Sequence, residues 1–262
     1  MKRWILRSLL LLLLLTLFVL LRTPAHHVVA YASPAIAPTV ISKPAGTIWK
    51  GQAEQLVHPQ FRLNQLQWDY RFFASLMSGP GASLQGDTED GTASLNAHIA
   101  WLDLFAGRSS VSLSDISAIL PLTDLPLPPV AKSIPINGDV IVKLDRVIIE
   151  QNWPVAADGQ VAVGDITYKD SKIWQLGAII ADVESIESGI SATLSSQSEY
   201  IDLSGVFELR DDGSYSVTAD LQVDSRLPVV LRTMLIAAGK TQPNGRVRIS
   251  YRGQVARPQA GQ

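Results

Sequence analysis

Four histidines come first in a search for chemistry, because histidine is the commonest acid–base residue and metal ligand near neutral pH. His26 and His27 lie in a segment rich in alanine and proline. His58 precedes Pro59, and His98 falls among the polar positions of an alternating stretch. We expect a solvated loop for the first two, a strand end for His58 and the surface for His98. No serine is spaced to complete a hydrolytic triad; burial of His58 or His98 beside a serine or carboxylate would favour an enzyme.

Two glycine-rich segments imitate nucleotide-binding loops without completing them. Gly239-Lys240-Thr241 has the ending of a phosphate loop, but Met234 stands where that loop needs its first glycine. We interpret Gly239 as a helix cap. Gly79-Pro80-Gly81 begins like a dinucleotide fingerprint and fails at Leu84, so it predicts a turn.

The other candidates for acid–base or metal chemistry are weaker. Glu184 with Glu187, and Asp211 with Asp212, are interpreted as loop and turn residues rather than an acid–base pair. The chain has no cysteine, which excludes a disulfide framework, a thiolate zinc site and a cysteine nucleophile. The sequence therefore predicts no catalytic, cofactor-binding or metal-binding residue, and hence neither an enzyme nor a cofactor.

Tryptophans are spread evenly along the chain after its N-terminal segment. Their positions are Trp49, Trp68, Trp101, Trp153 and Trp174. Aromatic side chains of this size either pack the covered face of a sheet or stack on a ligand. We favour packing.

The 262 residues carry 22 basic and 24 acidic side chains, but these charges are unevenly distributed. Lys2, Arg3, Arg7 and Arg22 fall within the first 22 positions, which hold no acid. The other 240 residues hold 18 basic and 24 acidic side chains, a net charge of −6. Because nucleic-acid binding depends on clustered lysine and arginine, this acidic body excludes nucleic acid as a partner.

An apolar run near the N-terminus is long enough to anchor the chain in a membrane. Ser8 to Leu21 is 14 residues without a charge, and the run from Trp4 is 18 residues interrupted only by Arg7. A spanning helix needs about 17 to 25 residues. Positive charges precede the run, so the positive-inside rule predicts a cytoplasmic N-terminus and an exported body. The alternative is a cleaved signal peptide, for which Ala30-Tyr31-Ala32 fits the peptidase site.

Period-two alternation dominates the exported part and predicts antiparallel strands with one covered and one wet face. The clearest stretches are 93–101, 201–209, 215–223 and 247–252. Further strands are predicted over 61–69, 109–114, 138–149, 160–168, 172–183 and 190–196. Asp211-Asp212-Gly213 supplies the turn of a tight hairpin, and Asp158-Gly159 and Asn244-Gly245 precede strand-like segments in the same way.

Helical periodicity is strong in one exported segment only, with Pro228 near its start and Gly239 after its end. Its apolar residues recur at i, i+3, i+4 and i+7: Leu227, Val230, Leu231, Met234, Leu235 and Ala238. Phe72 to Met77 is a candidate for a shorter helix. The predicted fold is mainly β: an N-terminal transmembrane helix, then an antiparallel, curved β-sheet domain with one or two short helices.

Composition divides the chain into four parts. Residues 1–22 are a short cytoplasmic tail and transmembrane anchor, 23–45 an extended linker, 46–255 the β-rich domain and 256–262 a tail. A proline-rich connection at 121–129 leaves two alternatives, a sub-division of the domain near 121–133 or a long loop within one sheet.

Several short motifs, in this order and spacing, resemble the type II secretion system protein N family (general secretion pathway protein N). Pro44–Gly51 looks like the segment that opens the family's periplasmic domain, with its Gly-Thr-aliphatic-Trp pattern and a following glycine. The others are Leu63–Trp68, Ile136-Asn137-Gly138, Trp153-Pro154, Ala157–Val161, Leu203–Leu209, Asp212–Tyr215, Asn244–Val247 and Tyr251-Arg252-Gly253. The resemblance runs from the anchor to about residue 255.

The resemblance implies a single-span protein of the bacterial inner membrane whose main domain lies in the periplasm. Such a protein would be an accessory of the machine that exports folded proteins across the outer membrane. Its partners would be other type II secretion components, the inner-membrane platform first and the secretin as a further candidate. The anchor at residues 4–21 would hold it in the inner membrane. Edge strands are natural contact points, because they present unpaired N–H and C=O groups. The family has no catalytic residues to carry over.

A second interpretation follows from the alternation. Alternating strands on a single anchor also suit a periplasmic lipid-handling protein resembling the AsmA-like family, in which a curved sheet forms an apolar trough. An apolar face can cover a core or cradle an acyl chain, so periodicity does not separate the two functions.

Overall fold

The computed structural model describes residues 11, 18, 22–36, 38–58, 61–70, 81–87, 91–98, 110–124, 135–151 and 153–256. The chain divides into two compact units, Met1–Glu89 and Asp90–Gln262. Antiparallel pairing of strands builds both units, which confirms the predicted mainly β fold.

The described elements of the first unit are one helix and five strands. They are α1 (Ala25–Ile36), β1 (Val40–Ser42), β2 (Ala45–Gly46), β3 (Lys50–His58), β4 (Phe61–Tyr70) and β5 (Gly81–Asp87). Both β1 and β2 pair with β3, β3 pairs with β4, and β4 pairs with β5.

The extended conformation predicted for the linker at residues 23–45 is wrong over residues 25–36. Residues 25–36 form α1, which includes Ala30-Tyr31-Ala32, and both β1 and β2 join the sheet of the first unit. Alanine has the highest helix propensity, and four of the 12 residues of α1 are alanine.

Most of the apolar run predicted as an anchor, residues 4–21, lies outside the described residues. Leu11 and Phe18 are described, and both are exposed. Among the residues that the structure describes, no helix combines the length and the apolar character needed to cross a bilayer. The predicted helix from Phe72 to Met77 also lies outside the described part of the chain.

The motif from Gly46 to Gly51 closes the hairpin between β2 and β3. The Thr47 N–H donates to the Lys50 carbonyl oxygen at 2.9 Å, and the Thr47 hydroxyl accepts the Lys50 N–H at 3.1 Å. Trp68 lies opposite Gly51, so close that a Cβ on Gly51 would stand 2.3 Å from the indole Cζ2. The Trp68 Nε1–H donates to the Thr47 carbonyl oxygen at 3.1 Å. An indole from the next strand therefore clamps this turn.

The second unit continues the antiparallel pattern with longer strands and a second helix. Its described strands are β6 (Thr92–His98), β7 (Ser110–Pro121), β8 (Ile136–Glu150), β9 (Trp153–Lys169), β10 (Ile173–Ile186), β11 (Gly189–Gln197), β12 (Ile201–Arg210), β13 (Ser214–Val223), β14 (Lys240–Thr241) and β15 (Val247–Gln254). The helix, α2, runs Val229–Ala237. From β6 to β13 each strand pairs with the next in the chain, and β15 then lies between β13 and β14.

The strands predicted in this unit are confirmed over their described residues, and several are longer than their patterns; 99–101 and 109 lie outside the described part of the chain. β7 continues beyond Ser114 to Pro121. Asp115 has a φ of 51°, which interrupts the alternation between Leu113 and Ile116 and hides the second half of the strand from a period-two search.

Asp158-Gly159 lies within β9, opposite a bulge in β8, so the turn predicted there is wrong. The strand begins at Trp153 and passes Gly159 opposite Leu144 of β8, with a shift in register beside it. Gly159 has a φ of 139°, a conformation open mainly to glycine. A Cβ there would stand 2.4 Å from the Lys143 carbonyl oxygen.

The other two predicted turns are confirmed. Asp211-Asp212-Gly213 joins β12 to β13, and the Asp212 carboxylate accepts the Ser214 N–H at 2.8 Å. Asn244-Gly245 lies between β14 and β15, where the Gly245 N–H donates to the Gln242 carbonyl oxygen at 2.9 Å.

The predicted helix over 227–238 is confirmed as α2, which packs Leu231 and Leu235 on one end of the sheet and leaves Val230 and Met234 exposed. Leu227 and Leu231, each 2% exposed, contact Ile166, Tyr168 and Leu176. This cluster joins β9, β10 and the helix in one hydrophobic core.

The interpretation of Gly239 as a capping glycine is wrong. Ala238 is the C-terminal cap residue of α2, and Gly239 does not have the left-handed conformation of a capping glycine. A Cβ on Gly239 would stand 2.4 Å from the Arg248 carbonyl oxygen. Glycine is therefore needed here because β15 passes close by.

The proline-rich connection at 121–129 lies between β7 and β8, and these two strands pair with each other. β7 and β8 are in register from Ser110 opposite Glu150 to Pro121 opposite Asp139, and both belong to the second unit. The strands on both sides of the connection therefore belong to one unit, and the division into units lies between Glu89 and Asp90.

Candidate docking surface

The histidines assemble no catalytic or metal site within the described ranges. His26 and His27 are exposed as predicted, but they lie on α1 rather than in a loop, and β3 ends at His58 as predicted. His98 is half-buried rather than at the surface, and Ser112 lies opposite it on β7. The buried His98 Nε2 has no hydrogen-bond partner among the described residues, so it does not activate that serine.

The other predicted loop residues fall in ordinary structural positions. Lys240-Thr241 forms β14, and Asp211 with Asp212 forms a hairpin turn as predicted. Glu184 lies within β10, so its assignment to a loop is wrong. In the part of the chain that the structure describes, no three His, Asp or Glu side chains lie together to hold a metal ion.

The described tryptophans support packing rather than ligand stacking. Trp153 is 6% exposed, and the Trp68 indole is committed to the turn at residues 46–51. Trp174 packs against the α2 core and meets the Tyr200 ring edge-on, with ring centroids 5.8 Å apart. Trp101 lies outside the described residues.

One face of the sheet in the second unit is apolar from β11 to β15. Directly paired residues share a face, and three rows run across it: Ile190–Leu209–Tyr215–Gly253, Ala192–Phe207–Val217–Tyr251 and Leu194–Gly205–Ala219–Ile249. α2 packs on the end of the sheet at Ile201 and Val223. Away from that end Phe207, Leu209 and Val217 are only half-buried.

The free side of β15 offers backbone groups for pairing. β15 is in unbroken register with β13, and the Val255 N–H donates to the Gly213 carbonyl oxygen at 2.9 Å. The hydrogen bonds of an antiparallel pair alternate along the strand. The odd-numbered residues of β15 therefore bond to β13, and the even-numbered ones point their N–H and C=O groups away from it.

Short β14 covers only the first part of that free side. The Arg246 carbonyl accepts the Gln242 N–H at 2.7 Å, and Arg248 lies opposite Lys240. Beyond them the outward backbone groups of Ser250, Arg252 and Gln254 have no partner among the described residues. We name these three residues the β15 edge.

Aromatic side chains border the β15 edge on the apolar face of the sheet. The ring centroids of Phe207 and Tyr215 are 6.4 Å apart, and those of Tyr215 and Tyr251 are 5.9 Å apart. Tyr215 covers Gly253, whose Cβ position lies 2.6 Å from the phenol Cζ. Tyr251, at the end of the row, is 60% exposed.

Arginines line the opposite, polar face beside the same edge. Arg248 makes two hydrogen bonds of 2.8 Å to Asp220, which lower the pKa of that carboxyl and keep it ionised. Arg246 pairs with Asp202. Arg252 has no ion pair or hydrogen bond with any described residue; it lines a surface groove of about 310 Å³ with Glu208, Arg210, Ser214, Tyr215, Ser216 and Gly253.

The alternation predicts β15 but not its free side. The free side could be inferred from the place of β15 in the chain, because the last long strand of a meander lies at an edge of the sheet. The two-residue β14 has no pattern of its own, so the length of edge that it leaves open appears only in the structure.

Proteins of one family are similar to this chain over most of its length. The family described as type II secretion system (T2SS), protein N matches residues 37–250. The type II secretion system protein N of Aeromonas hydrophila is 22% identical over 249 residues, which cover 91% of this chain and 93% of that protein. That of Pectobacterium carotovorum subsp. carotovorum is 21% identical over 251 residues, covering 91% and 92%.

A third relative, the type II secretion system protein N of Vibrio cholerae serotype O1, is 22% identical over 214 residues, covering 80% of this chain and 82% of that protein. No solved structure is significantly similar to the chain. The family match includes the clamped turn at residues 46–51 and the first half of β15, up to residue 250. The resemblance seen in the sequence is thereby confirmed, and the chain belongs to the type II secretion system protein N family.

Proposed function

We propose that this protein is a non-catalytic, bitopic component of the type II secretion system in the bacterial inner membrane. It supports protein export across the outer membrane through contacts that its β domain makes with other proteins in the periplasm. The observation that carries the proposal is the family match over residues 37–250, which covers the folded domain rather than the anchor.

The bitopic topology is supported by the charge distribution at the N-terminus. Lys2, Arg3 and Arg7 precede the centre of the apolar run at residues 4–21, and this bias predicts a cytoplasmic N-terminus. In this arrangement residues 1–22 hold the tail and the anchor, 23–45 connect them to the β domain, and 46–255 work in the periplasm.

A docking role is supported by the nature of the surfaces. The described residues offer a sheet edge with free backbone groups, a row of aromatic rings and an arginine-lined groove. These are features of protein recognition, because strand addition at an edge gives affinity and side-chain pockets give specificity. The anchor joins the inner-membrane platform, and the domain reaches further components, the secretin among them.

Export in a strain that lacks this protein tests the proposal. We expect the amount of type II secretion substrates in the culture medium to fall, and the full chain to restore it. A variant that ends after residue 45 keeps the anchor without the β domain and is the matched control, which should reach the membrane but not restore export. Unchanged export in the deletion strain would contradict the proposal.

The half-buried apolar rows favour one second candidate, the handling of lipid. Phe207, Leu209 and Val217 lie on a face that α2 leaves open, and such a face is able to take an acyl chain. Stoichiometric lipid in the purified protein, lost on Val217→Glu but not on Ser204→Glu at the opposite face, would support that function. Lipid-free protein that restores export would exclude it.

A further inference from the structure

We propose that the β15 edge binds an extended strand of another secretion-system protein, and that this strand carries a carboxylate opposite Arg252 between two apolar residues. The inference rests on the proposed function and deepens it by stating the chemistry of the docking partner.

Backbone hydrogen bonding selects an extended strand as the ligand. Three N–H and three C=O groups point outward from Ser250, Arg252 and Gln254, and β14 does not extend far enough to pair with them. Because β15 keeps an unbroken register with β13, the outward groups recur at every second residue, as the edge of a regular ladder requires. A strand of about five residues satisfies all of them.

The positive charge of Arg252 favours a carboxylate on the partner residue that lies opposite it. Directly opposed residues share a face, so the partner's side chain at that position projects on the polar face, beside the groove that Arg252 lines. Arg246 and Arg248 already have aspartate partners, and Arg210 lies 3.5 Å from the Glu208 carboxylate. Arg252 is the cation on this part of β15 whose charge the described residues leave uncompensated.

The apolar face of the sheet favours apolar residues on either side of that carboxylate in the partner strand. Partner residues that flank it lie opposite Tyr251 and Gly253. Tyr251 is 60% exposed and offers its ring to a cross-strand neighbour. Gly253 has no side chain to fill its row, and the Tyr215 ring lies over it, so an aliphatic or aromatic residue opposite it packs against that ring.

Two occupants from the chain itself fit the edge less well. The tail at residues 257–262, Arg257-Pro258-Gln259-Ala260-Gly261-Gln262, contains a proline that lacks an N–H and has no acidic side chain. A second copy pairing β15 with β15 would bring Arg248 and Arg252 of both strands together without an acid on either. An acidic strand from a different protein matches the edge better than either of these two occupants.

Cysteine crosslinking in cells tests the proposal, because the full chain contains no cysteine to interfere. Arg252 itself must stay, so Gln254→Cys places the thiol on the edge, and Ser204→Cys provides a control on the polar face of β12, away from the edge. Cells carrying the full-length variants are treated with a short thiol-to-amine crosslinker, and mass spectrometry maps the attached peptide. We expect attachment from Gln254→Cys alone, to a secretion-system segment with an apolar–acidic–apolar pattern.

Edge variants then separate docking from folding. Adding Arg252→Glu to Gln254→Cys should lower the crosslink yield about tenfold, because it places like charges opposite each other. Ser250→Pro removes an outward N–H and should lower the yield about fivefold, whereas the β13 ladder stays intact because that N–H points away from it. Circular dichroism of both variants should match that of the parent protein.

Four results would overturn the inference: attachment to the chain's own tail, attachment to a second copy, equal attachment from Ser204→Cys, or a yield that Arg252→Glu leaves unchanged. If the deletion strain fails to export but any of these results is found, the proposed function stands and the edge assignment falls. If export is normal in the deletion strain, the proposed function itself falls.

Discussion

Truncation of one helical side chain should separate the part of α2 that holds the fold from the part that faces solvent. Leu231 is 2% exposed and packs with Leu227 against Ile166, Tyr168 and Leu176. Leu231→Ala removes three carbon atoms from this cluster. Met234→Ala, on the same helix at a position 46% exposed, is the matched control.

The expected cost follows from transfer and cavity terms. Three buried carbons at about 0.8 kcal/mol each give about 2.4 kcal/mol. Leu231 also lines an existing cavity of about 110 Å³ with Leu235 and Ile166, so the vacated space joins one that the surroundings already fail to fill. Adding the cavity term, we expect Leu231→Ala to cost about 3 to 4 kcal/mol in unfolding free energy. Met234→Ala should cost less than about 1 kcal/mol.

Urea unfolding of the full-length protein in detergent, followed by circular dichroism and by tryptophan fluorescence, measures the two losses. Trp174 lies beside the cluster and makes the fluorescence sensitive to it. Since the chain has two compact units, the comparison uses the transition in which Trp174 changes its signal. Equal losses for the two variants, or a loss under about 1 kcal/mol for Leu231→Ala, would refute the packing described for α2.

Three further predictions concern single residues. Gly51→Ala should lower the unfolding free energy by about 1 to 3 kcal/mol, because the added Cβ would stand 2.3 Å from the Trp68 side chain. Gly164→Ala is the control: the nearest atom to its added Cβ is 3.7 Å away, so stability measured in thermal melts should change by less than about 1 kcal/mol. Trp68→Phe should cost about 1 kcal/mol, since it keeps a ring but loses the N–H donated to the turn; an unchanged melting temperature would contradict the clamp. Asp158→Asn should cost about 1 kcal/mol near neutral pH, because the carboxylate accepts the Ser185 N–H at 2.9 Å and is 35% exposed. The backbone hydrogen bond from Ser185 lowers the pKa of Asp158 in the folded protein. The stability difference between the wild-type protein and Asp158→Asn is therefore complete above the ordinary pKa of 3.8 and is lost as the pH falls through the lower pKa of the folded state. Urea unfolding midpoints of both proteins across that pH range measure the difference, and a difference that persists at the acid end would contradict the prediction.

The long strands of the second unit could be predicted because their two faces differ in polarity. In β12 and β13 the odd-numbered residues are apolar, or glycine where a ring or strand passes close, and the even-numbered residues are mostly polar. Register follows from this pattern, since a slip of one residue would turn every side chain to the other face.

β3 and β5 could not be predicted in the same way. In β3 (Lys50–His58) the row that includes the buried Ala53 also holds Gln55, so the period-two signal is weak. Gln55 Nε2 donates to Asn64 Oδ1 of β4 at 3.2 Å, a cross-strand polar pair that takes the place of apolar contact. β5 (Gly81–Asp87) is built mostly of small or polar residues.

The docking surface could be predicted only in part. Tyr251-Arg252-Gly253 belongs to the motifs that resemble the family, and its strand was expected from alternation. Which backbone groups of β15 point outward depends on the hydrogen bonds at Gly213 and at Gln242, and which arginine stays unpaired depends on the positions of Asp202 and Asp220. Both depend on strand order, which local sequence does not encode.

In-cell crosslinking of the membrane-bound, full-length protein is the most direct test that it works by docking in the secretion system. The attached proteins and the copurifying lipids are identified by mass spectrometry from the same preparation. The account predicts components of the inner-membrane platform or the secretin attached to the β domain, without stoichiometric lipid. Lipid bound to the domain, with no secretion component attached, would contradict it.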